Sequence, residues 1–308
     1  MSKSVSGSPA IDQAIAGLTA GTVSTFILHP MDLVKTRLQA NNKKLTLNSG
    51  LIGLSIGEVR RITSTNGVMG LYRGITPNLL GSSLSWALYF GFYSKIKQRY
   101  SSDLGDGRIA TKMTKSEYML ASAQAGAMTT VFTNPIFVVK TRMLANDPTH
   151  PKAYSSFLNG IKSLYKLEGV RGLYRGFSAA LIGTSHGAVQ FLAYEQLKIW
   201  RWNLRNNRKL NQKPTDLETI NAKLPTWEYL WMSSLSKTIA ATLTYPYQVV
   251  KTRVQNYQSV SSVQYNGVID TIGKIYKLEG LMGFYKGLAP SIVRVLPGTC
   301  ITFEIMGM

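Results

Sequence analysis

One octapeptide pattern occurs three times in this 308-residue chain. The pattern, Pro-x-x-x-x-Lys-Thr-Arg, lies at 30–37, 135–142 and 246–253, and its prolines are 105 and 111 residues apart. Self-similarity at a nearly fixed period indicates a chain built from repeated structural units. We therefore predict three such units, at 10–100, 113–203 and 226–308.

The charge content separates this chain from ordinary soluble proteins. Only 16% of the residues are charged, against about 25% in a typical soluble domain, yet the net charge is +20. Apolar segments with basic ends favour a place near anionic lipid or an anionic ligand. A nucleic-acid binder is the alternative that composition alone leaves open, and the apolar segments described next argue against it.

The single cysteine, Cys300, excludes an intrachain disulfide and a cysteine-based zinc cluster, and we predict no metal site. The first 12 residues, in which only Lys3 and Asp12 are charged, do not resemble a cleaved presequence, so any targeting signal is expected to be internal.

Each unit contains two long stretches with few charges. Four of the six stretches lack Asp, Glu, Lys and Arg altogether over 19 to 22 residues, close to the ~20 residues with which a helix spans a bilayer. Lys237 and Arg294 interrupt the other two. Because backbone groups in lipid must be satisfied internally, we predict an all-α membrane protein with six transmembrane helices. The stretches are 13–31, 74–94, 118–139, 176–194, 229–250 and 287–303.

Lys237 lies nine residues before Pro246, far from that end of its stretch. A charge in the middle of a span is a candidate functional group that faces water or an anion. The alternative is a lysine that extends along the helix toward the surface.

A second repeated signature follows each octapeptide, at 66–74, 168–176 and 279–287. Short amphipathic segments precede it and are expected to lie at the membrane surface. Its aromatic-basic-Gly triplet begins the next span, where free amides suit the phosphate of a lipid headgroup; alternatively, the triplet is only an interfacial anchor. The predicted lipid-binding residues are Tyr72, Arg73, Gly74, Tyr174, Arg175, Gly176, Tyr285, Lys286 and Gly287.

Together the two signatures resemble those of the mitochondrial carrier family, Pro-x-[Asp/Glu]-x-x-[Lys/Arg]-x-[Lys/Arg] followed by [Asp/Glu]-Gly-x-x-x-x-aromatic-[Lys/Arg]-Gly. The resemblance extends from about residue 10 to the end of the sequence. It implies three pseudo-symmetric repeats, each of two transmembrane helices plus a short matrix helix, around a central water-filled cavity. It further implies a monomeric multi-pass protein of the mitochondrial inner membrane that works by alternating access, with cardiolipin as a lipid partner and no cofactor.

Several segments resemble one branch of that family. The sequence around Asn134, Pro135 and Phe137 is similar to carriers of FAD, folate, NAD and pyrimidine nucleotides. The segments most similar to FAD and folate carriers are 86–91, 182–191, 236–237 and 245–251. The resemblance therefore implies transport of FAD. The alternatives are a folate carrier, or an NAD or pyrimidine nucleotide carrier.

The family pattern also implies a gate on the matrix side, where helices kinked at Pro30, Pro135 and Pro246 converge. Carried over to this sequence, it pairs an acid of one repeat with a base of the next, but only one pair is ionic. The second would be a cation–π contact worth roughly 0.5–2 kcal/mol, and the third a hydrogen bond to a charged donor worth about 1.5–3 kcal/mol. The pairs are Asp32 with Lys140, Phe137 with Lys251, and Gln248 with Lys35; an intrahelical pair between Asp32 and Lys35 is the alternative.

The opposite, cytosolic gate uses an aromatic-acidic-x-x-basic pattern in the family. Tyr194, Glu195 and Lys198 match it fully, whereas Tyr93 and Lys97 lack the acid between them. The third copy would begin near Met306, at the end of the sequence.

The remaining polar and aromatic residues of the spans are candidate substrate contacts, because cations suit phosphates and planar side chains stack on flavin, pteridine or nucleobase rings. They are Lys237, Arg294, His186, Gln190, Ser185, Asn134, Trp86 and Tyr89. His186 could instead be a satisfied interior histidine, and Trp86 could face lipid. An enzyme is not expected, because the chain has three histidines, no metalloprotease or Walker motif, and no Ser/His/Asp arrangement.

Overall fold

A computed structural model describes residues 9–42, 50–102, 115–147, 153–206, 226–256, 265–295 and 297–299. Within these ranges the chain is helical and contains no strand. Short 3₁₀ turns, Val68–Tyr72 and Leu281–Tyr285, precede the helices that begin at Ile75 and Leu288. The helices are α1 Pro9–Ala40, α2 Leu51–Asn66, α3 Ile75–Ser102, α4 Lys115–Ala145, α5 Phe157–Leu173, α6 Phe177–Ile182, α7 Ser185–Asn206, α8 Thr226–Gln255, α9 Val268–Glu279 and α10 Leu288–Val293.

Among the described ranges, no helix combines the length and the apolar character that crossing a membrane requires.

The same order of helices recurs in each repeat. A long helix with an internal proline comes first (α1, α4 and α8), and a shorter helix at the surface follows (α2, α5 and α9). The next helix differs between repeats. It runs unbroken through α3 and is divided at Gly183 and Thr184 between α6 and α7. In the third repeat α10 is interrupted after Val293, and Val295 and residues 297–299 are helical again. Gly81, Gly183 and Arg294 occupy equivalent positions, seven residues after the last glycine of the second signature.

The three proline-containing helices contact one another, which brings the octapeptides together at one end of the molecule. Around them, α3 packs on α4, α7 packs on α8, and α10 packs on α1. The packing therefore closes into a ring of three similar units.

Each unit has its own small apolar core between the octapeptide and the surface helix. Leu33, Val138 and Val249 are equivalent in the three units and are fully buried. Under them lie Ile62, Leu164 and Ile275, each five residues before the first glycine of the second signature and also fully buried. Because hydrophobic residues recur at matching positions, each surface helix is held in the same way.

The second signature depends on glycine at the turn before the next helix. Gly287 has a φ of 83°, in the left-handed region that other residues rarely adopt. A side-chain carbon there would lie 2.9 Å from both the Lys35 carbonyl and the Tyr245 hydroxyl. The last glycine of the triplet is therefore required by backbone conformation and by close packing.

Candidate functional site

The octapeptide lysines meet where α1, α4 and α8 converge. The Lys35 ammonium donates to Gln248 Oε1 at 2.9 Å and lies 5.7 Å from the centre of the Tyr245 ring. The Phe137 ring contacts two lysines, with the Lys140 and Lys251 ammonium groups 5.3 and 5.7 Å from its centre. Both expected neutral contacts, Gln248 with Lys35 and Phe137 with Lys251, are thus present between repeats.

The predicted partner of Asp32 requires a correction. Its carboxylate pairs with the Arg294 guanidinium at 2.7 Å and accepts from the Asn78 amide at 3.4 Å. It forms no ion pair with Lys140 or with Lys35, all three of which the structure describes. A guanidinium presents a fork of donors that matches a carboxylate better than an ammonium does, and Lys140 is instead placed against Phe137. Arg294, which we expected to contact substrate, is engaged by Asp32 in this conformation.

The interior of the ring therefore carries an excess of positive charge. Five basic groups, on α1, α4, α8 and at the end of α10, accompany one carboxylate among the described residues. Lys237 is one of the five, and its ammonium donates to the Thr299 hydroxyl at 3.4 Å. An anion with two or more charges would complement such a set. The basic groups are Lys35, Lys140, Lys237, Lys251 and Arg294.

Sequence reasoning missed a second ring, made by the arginines that end the three octapeptides. Each is at most 4% exposed, and its Nε donates to a backbone carbonyl of another repeat. Arg37 donates to Leu144 at 3.2 Å, Arg142 to Gln255 at 3.0 Å and Arg253 to Gln39 at 2.9 Å. These bonds connect the repeats in a closed cycle. The signal was the invariance of this arginine in all three copies.

Two of these arginines also hold the acid of their own second signature. Arg142 pairs with Glu168 through two hydrogen bonds of 2.7 and 3.0 Å, and Arg253 pairs with Glu279. Burial opposes ionisation of Glu168, but the guanidinium groups of Arg142 and Arg175 hold its pKa below the ordinary value. The carboxylate therefore stays charged and fixes the surface helix to the octapeptide.

The first repeat has Asn66 at the position of that acid, and its arginine finds a different partner. Arg37 pairs with Asp147 at 2.6 Å, at the end of the second repeat's first helix, and lies 3.7 Å from Glu58. Arg61 binds the same two acids at 2.7 Å each. Burial opposes ionisation of Asp147, but the hydrogen bond from Arg61 and the charge of Arg37 lower its pKa. This four-charge cluster of Arg37, Glu58, Arg61 and Asp147 spans the seam between repeats one and two.

The predicted role of Asn134 as a substrate contact requires a second correction. Its side chain is 1% exposed, and its amide donates to the Leu173 carbonyl at 2.9 Å. The equivalent His29 accepts from the Asn78 amide at 2.9 Å and lies 2.9 Å from the Arg73 carbonyl, to which its other ring nitrogen donates. The residue before the octapeptide proline therefore binds a backbone carbonyl of the second signature. For this reason Asn134 is buried in the fold and is not available to a substrate.

The other polar candidates lie around the break between α6 and α7. Ser185 donates to the Ile182 carbonyl at 2.5 Å, and His186 Nδ1 lies 2.8 Å from the Thr244 hydroxyl. Gln190, one turn further along α7, is half-buried. These residues share one helix, and His186 joins it to α8.

The aromatic candidates on α3 form two stacked pairs. Trp86 is 55% exposed and stacks on Phe90 at 5.4 Å, whereas Tyr89 is half-buried and stacks on Tyr93 at 6.0 Å. No contact among the described residues joins Trp86 to the basic groups.

At the opposite end from the octapeptides, the predicted gate residues make contacts within or between neighbouring helices. The Lys198 ammonium lies 5.1 Å from the Tyr194 ring, and the Lys97 ammonium lies 5.7 Å from the Tyr118 ring. Glu195 forms no ion pair with any described residue. The third copy of this pattern, near Met306, lies outside the described residues.

The aromatic-basic-Gly triplets differ in their surroundings. Arg73 donates to the carbonyls of Met143 and Tyr154, and Lys286, only 4% exposed, is held by Glu279 and the Asn41 carbonyl. In the second repeat, a cleft of about 440 Å³ opens between the triplet and the start of α9. Arg171, Arg175, Ser178, Gly176 and Gly267 are among the residues that line it.

Comparison with known proteins places these features in a family. A family described as "Mitochondrial carrier protein" matches residues 6–104, 112–203 and 222–307. The chain is 34% identical to the mitochondrial FAD carrier protein of Saccharomyces cerevisiae, with 96% of this chain and 94% of that protein covered. It is 35% identical to the chloroplastic folate transporter 1 of Arabidopsis thaliana, with 96% and 92% covered. It is also 35% identical to the mitochondrial nicotinamide adenine dinucleotide transporter 2 of A. thaliana, with 95% and 77% covered.

Proposed function

The chain belongs to the mitochondrial carrier family, and we propose that it moves FAD across the mitochondrial inner membrane as a multi-pass protein. Transport proceeds by alternating access to the cavity between the three repeats, at 10–100, 113–203 and 226–308. The proline-containing helices form the matrix-side gate, closed in this conformation, and residues 93–97 and 194–198 belong to the cytosolic-side gate. No covalent chemistry or cofactor takes part.

The excess of basic groups inside the ring carries this proposal. FAD has a pyrophosphate with two negative charges and two planar ring systems. Charge-assisted hydrogen bonds from lysine or arginine hold such phosphates, and Phe137 and the α3 aromatics offer planar surfaces. The relative named as an FAD carrier, similar over nearly its whole length, adds support.

Folate, NAD and pyrimidine nucleotides are the alternatives. Each joins a planar ring to two or more anionic groups, so the basic groups alone do not separate them. The relatives named as folate and NAD transporters are about as similar to this chain as the FAD carrier is. Direct transport measurements separate these candidates.

Cardiolipin is the proposed lipid partner of a monomeric carrier. The cleft beside the second triplet supports this proposal, because Arg171 and Arg175 lie opposite the first residues of α9. Guanidinium groups and the amides at the start of a helix both bind phosphate. The cleft beside the second triplet makes this repeat the preferred site.

Reconstitution into liposomes tests the function. We expect uptake of radiolabelled FAD to exceed that of FMN, riboflavin, folate, NAD and UTP. Lys35→Gln and Lys251→Gln should each lower FAD uptake about tenfold, the rate equivalent of a lost charge-assisted hydrogen bond. Lys166→Gln, on the exposed side of α5, is the matched control and should leave uptake unchanged. Absence of FAD uptake would refute the assignment, and full activity of both gate variants would refute the charge argument.

A further inference from the structure

We propose that His186 is a hydrogen-bond acceptor that recognises an N–H group on the planar ring of the substrate, and that Thr244 is the positioning residue that holds it in this state. The inference rests on the proposed function and specifies which end of the substrate His186 contacts. The basic groups hold the anionic end, and His186 selects the ring.

The hydrogen bonds of Thr244 fix the tautomer of His186. The Thr244 hydroxyl lies 2.7 Å from the Ala240 carbonyl and 2.8 Å from His186 Nδ1. A hydroxyl has one proton, and the carbonyl can only accept, so Thr244 donates to Ala240 and must accept from Nδ1–H. The opposite arrangement would leave two oxygen acceptors 2.7 Å apart without a proton between them.

A neutral imidazole with its proton on Nδ1 has a lone pair on Nε2. Among the described residues, no hydrogen bond uses His186 Nε2, and the side chain is half-buried. The site therefore presents one oriented acceptor. The groups that dominate the interior, the lysines and Arg294, are all donors, so an acceptor at this place contributes a different kind of selectivity.

The position of His186 supports a role in recognition. It lies at the start of α7, directly after the break at Gly183 and Thr184, and its partner Thr244 precedes Pro246 by two residues. The hydrogen bond to Thr244 places the His186 side chain on the face of α7 that packs against α8. A side-chain carbon at Gly183 would meet the Tyr247 hydroxyl at 2.9 Å, so this break packs against the octapeptide helix.

The acceptor occurs in one repeat only. The positions equivalent to His186, ten residues after the last glycine of the signature, hold Leu84 and Pro297. Neither side chain can accept a hydrogen bond. An asymmetric substrate in a nearly threefold cavity therefore meets the acceptor in one orientation, with its ring toward α7 and α8.

Transport of FAD and of an FAD analogue methylated at flavin N3 tests the inference. N3–H is the donor of the flavin ring, and methylation removes it while the pyrophosphate is kept. We expect the wild-type carrier to prefer FAD by about tenfold or more in kcat/KM, because a site built for a hydrogen bond rejects an analogue that lacks it. His186→Ala and Thr244→Val should lose this preference, because transport of FAD falls while the analogue is still transported.

Uptake of the methylated analogue also shows that each variant is folded. Thr244→Ser keeps the hydroxyl and should keep the preference, which separates the hydrogen bond from the shape of the side chain. A readout independent of transport is the ¹⁵N spectrum of the histidine rings, assigned with His186→Ala. The wild-type signal should show an unprotonated Nε2, and Thr244→Val should shift the tautomer equilibrium.

Failure of the inference and failure of the proposed function are distinguishable. If FAD is transported and His186→Ala still prefers it over the analogue, His186 does not read the ring, although the carrier assignment stands. If FAD is not transported, the proposed function fails. The preference is then measured with whichever of folate, NAD or UTP is transported and an analogue methylated at an N–H of its ring system, which for NAD is the exocyclic adenine amine. Loss of preference in His186→Ala would still support the acceptor.

Discussion

Phe137 is the residue at which this gate departs most from a ring of ion pairs. Two ammonium groups, those of Lys140 and Lys251, lie against its ring. An aromatic ring attracts cations through its electron-rich faces, and each contact contributes about 0.5–2 kcal/mol. The ring thus reduces the repulsion between two lysines that have no carboxylate beside them, and it does so without adding negative charge to a cavity that binds anions.

Replacing Phe137 should destabilise the closed end of the carrier. Phe137→Leu keeps an apolar side chain but removes both cation–π contacts, and we expect a loss of roughly 1–3 kcal/mol. Thermal unfolding of the detergent-purified protein measures this as a lower Tm. Phe137→Trp, with a stronger cation–π surface, should retain the wild-type Tm. Equal values for the leucine and tryptophan variants would show that Phe137 acts by packing alone.

The surface helices show how one repeat compensates for a missing acid. In repeats two and three, Glu168 and Glu279 hold the arginine of the same repeat, whereas Asn66 cannot, and Asp147 reaches Arg37 from the next repeat. We expect Asp147→Asn to lower the free energy of unfolding by about 1.5–3 kcal/mol, the contribution of hydrogen bonds to charged groups. Asp270→Asn, which breaks a half-buried intrahelical pair with Lys274 on α9, is the control and should cost about 0.3–0.5 kcal/mol.

A second substitution tests whether the four-charge cluster replaces the missing acid. Asn66→Glu in the Asp147→Asn background places an acid where the other repeats have one, and it should recover most of the lost stability. If the double variant is no more stable than Asp147→Asn alone, Arg37 depends on the seam geometry and not on the presence of a carboxylate.

The pKa of Asp147 gives this cluster a pH dependence. Because the folded pKa lies below the unfolded one, the carboxylate stabilises the protein at pH values above its unfolded pKa, and that stabilisation is lost as the pH falls through the folded pKa. The loss therefore occurs below about pH 4. In thermal melts over this acid range, the Tm of wild type should fall more steeply than that of Asp147→Asn, and parallel curves would contradict the assignment.

The same elements show what sequence could and could not predict. The octapeptides, the surface helices and the glycine turns follow from local patterns, and their positions were predicted. The partner of Arg37 was not, because Asn66 shows only that an acid is missing, and Asp147 becomes its neighbour only when two repeats pack together. For the same reason, the sequence predicted Lys140 as the partner of Asp32, whereas the structure has Arg294 there. This contact depends on where α10 ends, which no local pattern specifies.

At the scale of the whole molecule, membership of the carrier family confirms the predicted all-α fold of six helices in three repeats. The structure adds that the repeats are joined in a cycle by the buried arginines Arg37, Arg142 and Arg253, each bonded to a backbone carbonyl of another repeat. Each such seam therefore contains a buried hydrogen bond from a charged donor. The interior lysines, by contrast, have few acids to hold them, which leaves their charge available to a substrate.

The excess of positive charge inside the ring predicts how transport responds to salt. Inside the ring, five basic groups accompany the single carboxylate of Asp32 among the described residues, so a multiply charged anion is drawn into the cavity by a field that ions screen over about 10 Å at 0.1 M. We expect the KM for FAD to rise several-fold between about 0.05 and 0.5 M salt. Lys237→Gln removes one basic group that is not part of the closed end. This variant should raise the KM at low salt and make its salt dependence shallower. Lys162→Gln, on the exposed side of α5, should follow the wild-type curve. A KM that is independent of salt in the wild type would show that the interior charges are neutralised before substrate arrives, and would remove the electrostatic basis for preferring an anionic substrate.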